Sequence, residues 1–215
     1  MSLEIDVRKL EVFNKISKEG SRTVADSLSQ MTGVDAEIRV SKINFLHIDD
    51  VKTHLGDETQ VGIHVELTES PYGYVLFMLS PADSKRLAQL MVPGDGGNDE
   101  SGFTDMERSA IQEIGNIMTS GYIDGWANVL DATIEMGTPE FTYGPSHAII
   151  QKMGGWPDED VVFVLDSQIT AGGNDIDLTV YTFPQLRDLV ELVQQIDVDT
   201  DVTEDTVASD GILDN

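Results

Sequence analysis

Thr104-Asp-Met-Glu-Arg-Ser-Ala-Ile-Gln-Glu-Ile-Gly-Asn-Ile-Met118 opens with a threonine three residues ahead of a glutamate, the pattern of a capping box, and runs on with helical periodicity to residue 130. On a helix turning about 100° per residue, Ala110, Ile111, Ile114, Ile117 and Met118 gather on one broad side. Ser109, Glu113 and Asn116 stand at i, i+4 and i+7, within about 60° of one another on a different side. A hydroxyl, a carboxylate and a carboxamide are thereby presented together toward solvent or a partner. Twenty-two residues separate Asn116 from Pro139. Polar residues are common on any exposed helix face, so this spacing gains weight only from what surrounds it.

The chain has 215 residues, 40% of them apolar, enough to bury a core without covalent staples. It has no cysteine, which excludes disulfides, thiolate metal sites and cysteine nucleophiles. No apolar run approaches the ~20 residues of a membrane span, and the start MSLEIDVRKL lacks the apolar core of a signal peptide. We therefore expect a soluble cytoplasmic protein without a membrane partner. Thirty-nine Asp and Glu against thirteen Lys and Arg give a formal charge of −26, which opposes nucleic acid and anionic lipid. The bias runs through the whole chain, as a high-salt cytoplasm favours, where the Debye length shrinks to roughly 3 Å at 1 M. A halophilic source is the preferred explanation, and an ordinary acidic surface is the alternative.

Outward from the quoted helix, the chain divides nearly in half. Residues 93–103, rich in Gly and acidic residues, form the expected linker between repeats 8–92 and 104–196. Residues 197–215 carry seven acidic and no basic residues and are expected to be a disordered acidic tail. In each half a long helix (8–32, 104–130) leads into a β-rich run, Ala36-Glu-Ile-Arg-Val40 or Ala132-Thr-Ile-Glu-Met136. Strands follow at 59–67 and 73–79, matched by 160–166 and 175–182. Each half closes with a proline-initiated helix, 81–90 or 184–192. Short loops between strands favour antiparallel pairing. The expected fold is α+β, internally duplicated, with long helices packed on a mainly antiparallel sheet and pseudo-twofold symmetry across a single 1–196 domain.

A shift of ninety-eight residues sets Glu11, Lys15, Lys18 and Ser41 opposite Ser109, Glu113, Asn116 and Pro139. It also lays Lys15-Ile-Ser-Lys-Glu-Gly20 over Glu113-Ile-Gly-Asn-Ile-Met118. On these residues the chain resembles the CheC/CheX/FliY phosphatases of prokaryotic chemotaxis, and CheC most closely. Their signature is Asp or Ser, three residues, Glu, two residues, Asn, twenty-two residues, Pro. The second half matches it throughout, and the run Glu-Ile-Gly-Asn is itself characteristic of the family.

The resemblance implies hydrolysis of the aspartyl phosphate on the response regulator CheY. Asn116 would align the attacking water, and Glu113 would pair with the regulator's active-site lysine. Ser109 would either hydrogen-bond across the interface or cap a local turn, and Pro139 would shape the chain after the strand. No cofactor belongs to the chain itself, because Mg²⁺ would come with phosphorylated CheY. By the same logic the first half is inactive: Lys15 replaces the glutamate, Lys18 lacks an acceptor to align water, and Ser41 replaces the proline. The resemblance further implies a monomer and CheD as a second partner. A non-catalytic adaptor binding CheD or the motility switch is the alternative function.

Other residues carry less. His47, His54, His64 and His147 lack ligand spacing and are expected at the surface or in packing, so no metal site is expected. Adjacent Asp49 and Asp50 are unremarkable in so acidic a chain. The Gly-rich linker lacks the ending of a phosphate loop. Met31, Met78, Met91 and Met118 are expected as core filler.

Overall fold

The computed structural model describes residues 10–93, 102–153 and 161–195. The expected tail, residues 94–101 of the expected linker and residues 8 and 9 of the first helix lie outside these. The elements run α1 (Leu10–Thr32), β1 (Ala36–His47), α2 (Ile48–Leu55), β2 (Thr59–Leu67), β3 (Gly73–Leu79) and α3 (Pro81–Gln89). They continue with α4 (Asp105–Leu130), β4 (Glu140–Pro145), α5 (Ser146–Lys152), β5 (Val161–Ala171), β6 (Asn174–Pro184) and α6 (Leu186–Gln195).

Helix α4 starts as its first residues dictate. Thr104 Oγ1 accepts from the Glu107 amide at 3.1 Å, and the Thr104 amide donates to Glu107 Oε2 at 2.8 Å, so two otherwise orphaned donors are satisfied reciprocally. The helix stops at Asp131, whose backbone is left-handed at φ 49°. Just before the cap, Phe103 at the end of the expected linker is fully buried. It packs edge-on to Phe141 and Tyr143 at 6.0 and 5.1 Å.

The six strands form one antiparallel sheet in the order β1-β5-β6-β3-β2-β4. This order is symmetric about the β6/β3 seam. Each half contributes a hairpin, β2/β3 or β5/β6, and its first strand lies on the outer edge of the other half's hairpin. Both edges thus depend on an exchange between halves. Long helices α1 and α4 cover one face over a core that includes Ile16, Leu28, Ile63, Phe77, Trp126 and Phe163. The opposite face carries a second core, in which Val51 and Leu55 of α2 and Ile149 and Ile150 of α5 meet Leu76, Val164 and Phe183. These two short helices escaped the periodicity reading, since each spans too few residues to show a repeat. With both faces covered, β2 and β3 are buried almost continuously, Val61 to Val65 and Val75 to Leu79.

Strands 59–67 and 73–79 have the expected bounds, whereas β1 runs on from Val40 to His47 and β5 from Asp166 to Ala171. The expected strand 132–136 is a correction. Only Met136 is bridged, to Leu67, and the second-half edge strand is instead β4. The alternation at 132–136 is sound, but its partner strand β2 ends at Leu67, and beyond the Met136 bridge the Thr68 amide donates to the Glu135 carbonyl at 2.9 Å without extending a ladder. The final helix begins at Leu186, after Pro184, and extends to Gln195.

Helices α1 and α4 cross antiparallel at glycine. A Cβ at Gly125 would overlap the Gly20 backbone, and one at Gly121 would lie 3.0 Å from Val24 Cα. A Cβ at Gly20 would lie 3.1 Å from the Tyr122 ring. Nearby, Trp126 is fully buried between Tyr122 and Phe163, at 5.7 and 5.9 Å. Substituting Gly125→Ala should lower the unfolding free energy by about 1–3 kcal/mol, because the backbone clash outweighs alanine's better helix propensity. Denaturant melts of the two proteins measure this, and a more stable alanine variant would contradict the close crossing.

The β2/β4 register sets His64 opposite Glu140, with Nε2 3.8 Å from Oε2. Burial pushes the His64 pKa below its ordinary 6.5. Glu140 opposes the shift and loses, being largely exposed and therefore screened, while Lys152 adds to the lowering. A base whose folded pKa is depressed stays neutral in the fold while the unfolded chain takes up a proton. Its stability contribution is therefore full above pH 6.5 and lost as pH falls below it. Between pH 7 and 5.5 the wild type should lose more stability than His64→Gln, by at most roughly 1.4 kcal/mol per pH unit. Identical pH slopes in paired denaturant titrations would show that His64 protonates freely in the folded state.

Candidate functional site

The polar stripe of α4 faces outward as the periodicity requires. Ser109, Glu113 and Asn116 are exposed, while Ala110, Ile111, Ile114 and Met118 are buried and Ile117 is partly so. Between Glu113 and Asn116 lies Gly115, where a Cβ would sit 2.8 Å from the buried Ile63 side chain of β2. Glycine therefore lets α4 press on the sheet directly behind the stripe, which holds the functional face at a fixed height. Thr119 Oγ1 donates to the Gly115 carbonyl at 2.7 Å one turn later.

The other wall comes from the approach to β4. Met136 pairs with Leu67, but Glu140 pairs with His64, so the second-half chain has one residue more than β2 over this interval. The Gly137 amide still donates to the Glu66 carbonyl at 2.9 Å. Residues 137–139 thus bulge from the ladder. Pro139, buried and lacking an N–H, occupies a position where no ladder donor is needed. The result is a shallow groove of about 300 Å³ lined by Ser109, Gln112, Glu113, Asn116, Thr138 and Pro139.

All four second-half motif residues therefore meet in one place. Gln112 and Thr138 are additions to the motif. Gln112 is legible in hindsight, three residues after Ser109 and four before Asn116, and Thr138 is Pro139's neighbour. Among the described residues Glu113 is the single charged side chain lining the groove. Asn116 offers a carbonyl acceptor and two N–H donors to anything seated there. The arrangement can orient a polar guest and receive a cation beside it. One carboxylate among amides and hydroxyls is a poor donor set for a resident Mg²⁺.

The first half builds a comparable frame with other chemistry. Its β1/β5 register slips between Val40 and Lys42, leaving Ser41 unpaired in the ladder at the position matching Pro139. Ser41 Oγ donates to the Asp166 carbonyl at 3.0 Å. Lys18 and Ser41 line a groove of about 700 Å³ between α1 and β1, and Glu11 and Lys15 are exposed on α1.

The histidines are dispersed. His47 caps α2, its Nδ1 accepting from the Asp49 amide at 3.3 Å, with Asp49 and Asp50 in the first turn where carboxylates suit the helix dipole. His54 Nδ1 lies 2.7 Å from Tyr181 Oη, and His147 is exposed on α5. Among the described residues no three His, Asp or Glu converge as metal ligands. Met78 and Met118 are buried, and Met31 and Met91 pack against the core.

Residues 106–143, spanning most of α4 and most of β4, match the model of the CheC-like family. A protein of Halobacterium salinarum (strain R1) named "Putative CheY-P phosphatase CheC1" is 39% identical over 199 residues, covering 91% of this chain and all of that one. Among solved structures, FliY of Thermotoga maritima superposes with a TM-score of 0.72 at 21% identity, covering 89% of this chain and 96% of that one. The FliM middle domain of Vibrio alginolyticus does so with a TM-score of 0.63 at 18% identity, covering 84% and 99%. These two share the fold, and the extended identity with the Halobacterium protein carries the assignment further: the chain belongs to the CheC-like family.

Proposed function

We propose that this chain hydrolyses the aspartyl phosphate of the response regulator CheY, at one site in its second half. The observation that carries the reading is the groove that brings Ser109, Glu113, Asn116 and Pro139 together from α4 and the bulge before β4. The name of the Halobacterium relative supports the same substrate.

The chemistry asked of the chain is positioning. A water oxygen attacks phosphorus in line, the bond from phosphorus to the aspartyl oxygen breaks, and the regulator's carboxylate leaves with the electron pair. Inorganic phosphate is the second product. Phosphoryl transfer needs little covalent help, so a carboxamide suffices to hold the water. Asn116 accepts from one water hydrogen and its N–H donates to the phosphoryl group or the regulator. Glu113, exposed beside it, pairs with the regulator's lysine and fixes the approach of Asn116. Gln112 and Thr138 extend the polar contact. Met106, 59% exposed and two turns before Glu113 on the same stripe, supplies an apolar contact at the rim. The Mg²⁺ belongs to the regulator, in keeping with the donor set of the groove. We propose further that the chain acts as a cytoplasmic monomer in a halophilic cell, with CheD as its second protein partner. Within the described residues no helix is long and apolar enough to cross a membrane.

In the first half Lys15 and Lys18 replace the pairing and water-holding groups, so that face contributes no hydrolysis. Decay of phosphorylated CheY in molar salt tests the scheme. The wild type should accelerate decay. Asn116→Ala and Glu113→Ala should each lose about 10²-fold, the size expected for a positioned polar group in a transition state. Lys18→Ala should retain full activity. Failure of the wild type to accelerate decay while still binding the regulator would leave the adaptor function, and equal loss in Lys18→Ala would place a working site in the first half.

A further inference from the structure

The groove between α1 and β1 has no part in that hydrolysis, yet it is more than twice the size of the α4 groove. Lys18, Arg22, Arg39 and Lys42 line it, four of the thirteen basic residues in a chain with thirty-nine acidic ones. Asp26 and Glu37 also line it, and Glu19 holds Arg22 at 2.8 Å. Lys18, Arg39 and Lys42 are exposed and make no ion pair among the described residues. Such a gathering of cations runs against the composition of the whole surface.

Its shape is as informative as its charge. Consecutive residues of β1 from Ala36 to Ile43 line the groove, although alternate residues of a strand point to opposite faces. Both sets border one groove only along the strand's edge, and β1 is an edge strand of the sheet. Among the described residues no strand takes its outer backbone donors and acceptors, which an extended guest can therefore use, with Ile38 and Val40 beside them.

We propose that this groove receives residues 197–215 of the same chain. That stretch carries seven carboxylates and no cation, and its start, Asp197-Val-Asp-Thr-Asp-Val202, alternates acid with apolar or hydroxyl residues. An extended guest of this pattern offers carboxylates to Lys18, Arg39 and Lys42 and valines to Ile38 and Val40. The stretch begins two residues after the last residue of α6, Gln195. Nineteen residues reach about 60 Å when extended, against a radius of gyration of roughly 16 Å for a domain of this size, so reach sets no limit. The tether also raises the effective concentration of the guest to the order of millimolar. The proposal is independent of whether the α4 groove is catalytic.

The absence of cysteine supplies the experiment, because Ser209→Cys gives a single attachment point for a nitroxide. In the isotope-labelled full chain, at the lowest salt that keeps it folded, amides of residues 17–26 and 36–43 should lose most of their signal and regain it when the nitroxide is reduced. Lys18→Glu combined with Arg39→Glu should abolish the loss. Mixing nitroxide-bearing chains without isotope with labelled chains lacking the cysteine should leave the amides unaffected. Loss spread evenly over the protein, centred elsewhere, or absent overturns the proposal. So does loss that survives charge reversal, or loss seen in the mixture, which would mean contact between copies.

Discussion

The close crossing of α1 and α4 is the contact on which the remaining architecture depends. Gly20, Gly121 and Gly125 allow the two helix backbones to meet without side chains between them. Each interior glycine sacrifices about 1 kcal/mol of helix propensity relative to alanine. What offsets this is burial on either side of the crossing: Tyr122 and Trp126 on α4, Ile16, Val24 and Leu28 on α1, all packed on one sheet face. Since the helices are antiparallel and the sheet order is symmetric, the crossing also fixes where each helix presents its outer stripe. One stripe comes to rest beside β4 and the other beside β1.

Both grooves are then completed by the same backbone device. An edge strand carries one residue more than its neighbour at the level of the helix stripe, Ser41 in β1 and the 137–139 segment before β4. A bulge re-aims the chain locally without disturbing the core pairs beyond it. On this common frame side chains alone set the chemistry. Asn116 and Glu113 with a proline wall make one groove, and Lys18, Arg39 and Lys42 with a serine wall make the other. A bulge held by serine keeps its N–H and hydroxyl, and Ser41 uses the hydroxyl on the Asp166 carbonyl. Proline at the matching point removes the donor and stiffens the wall.

The amount of this that could be read in sequence follows from the range of each interaction. The capping box at Thr104 and Glu107, the buried stripe of α4 and the strands 59–67 and 73–79 are local patterns, and the structure has them where the pattern places them. The exposed triad was legible for the same reason. Strand 132–136 failed because its period was right but its partner ended at Leu67, a fact about a segment seventy residues away. The role of Gly115 was hidden likewise: a glycine inside a helix reads as a weakness until Ile63 is seen against it. Helices α2 and α5 are about two turns each, and their apolar residues point to a second core that so short a helical stretch cannot announce.

Charge bears on the α4 groove in a way the local geometry does not show. At −26 this protein repels any acidic partner over distances comparable to the Debye length, about 10 Å at 0.1 M salt and roughly 3 Å at 1 M. Electrostatic steering toward a groove whose one charge is Glu113 is correspondingly unfavourable in dilute salt and nearly neutral in concentrated salt. If the proposed function holds, recognition there rests on contacts that salt leaves intact: hydrogen bonds from Asn116, Ser109 and Thr138, apolar contact with Met106, and an ion pair from Glu113 formed only at contact distance. Such a surface selects by fit after encounter and contributes little to its rate. A groove built this way needs a rigid floor, and Gly115 pressed on Ile63 provides it.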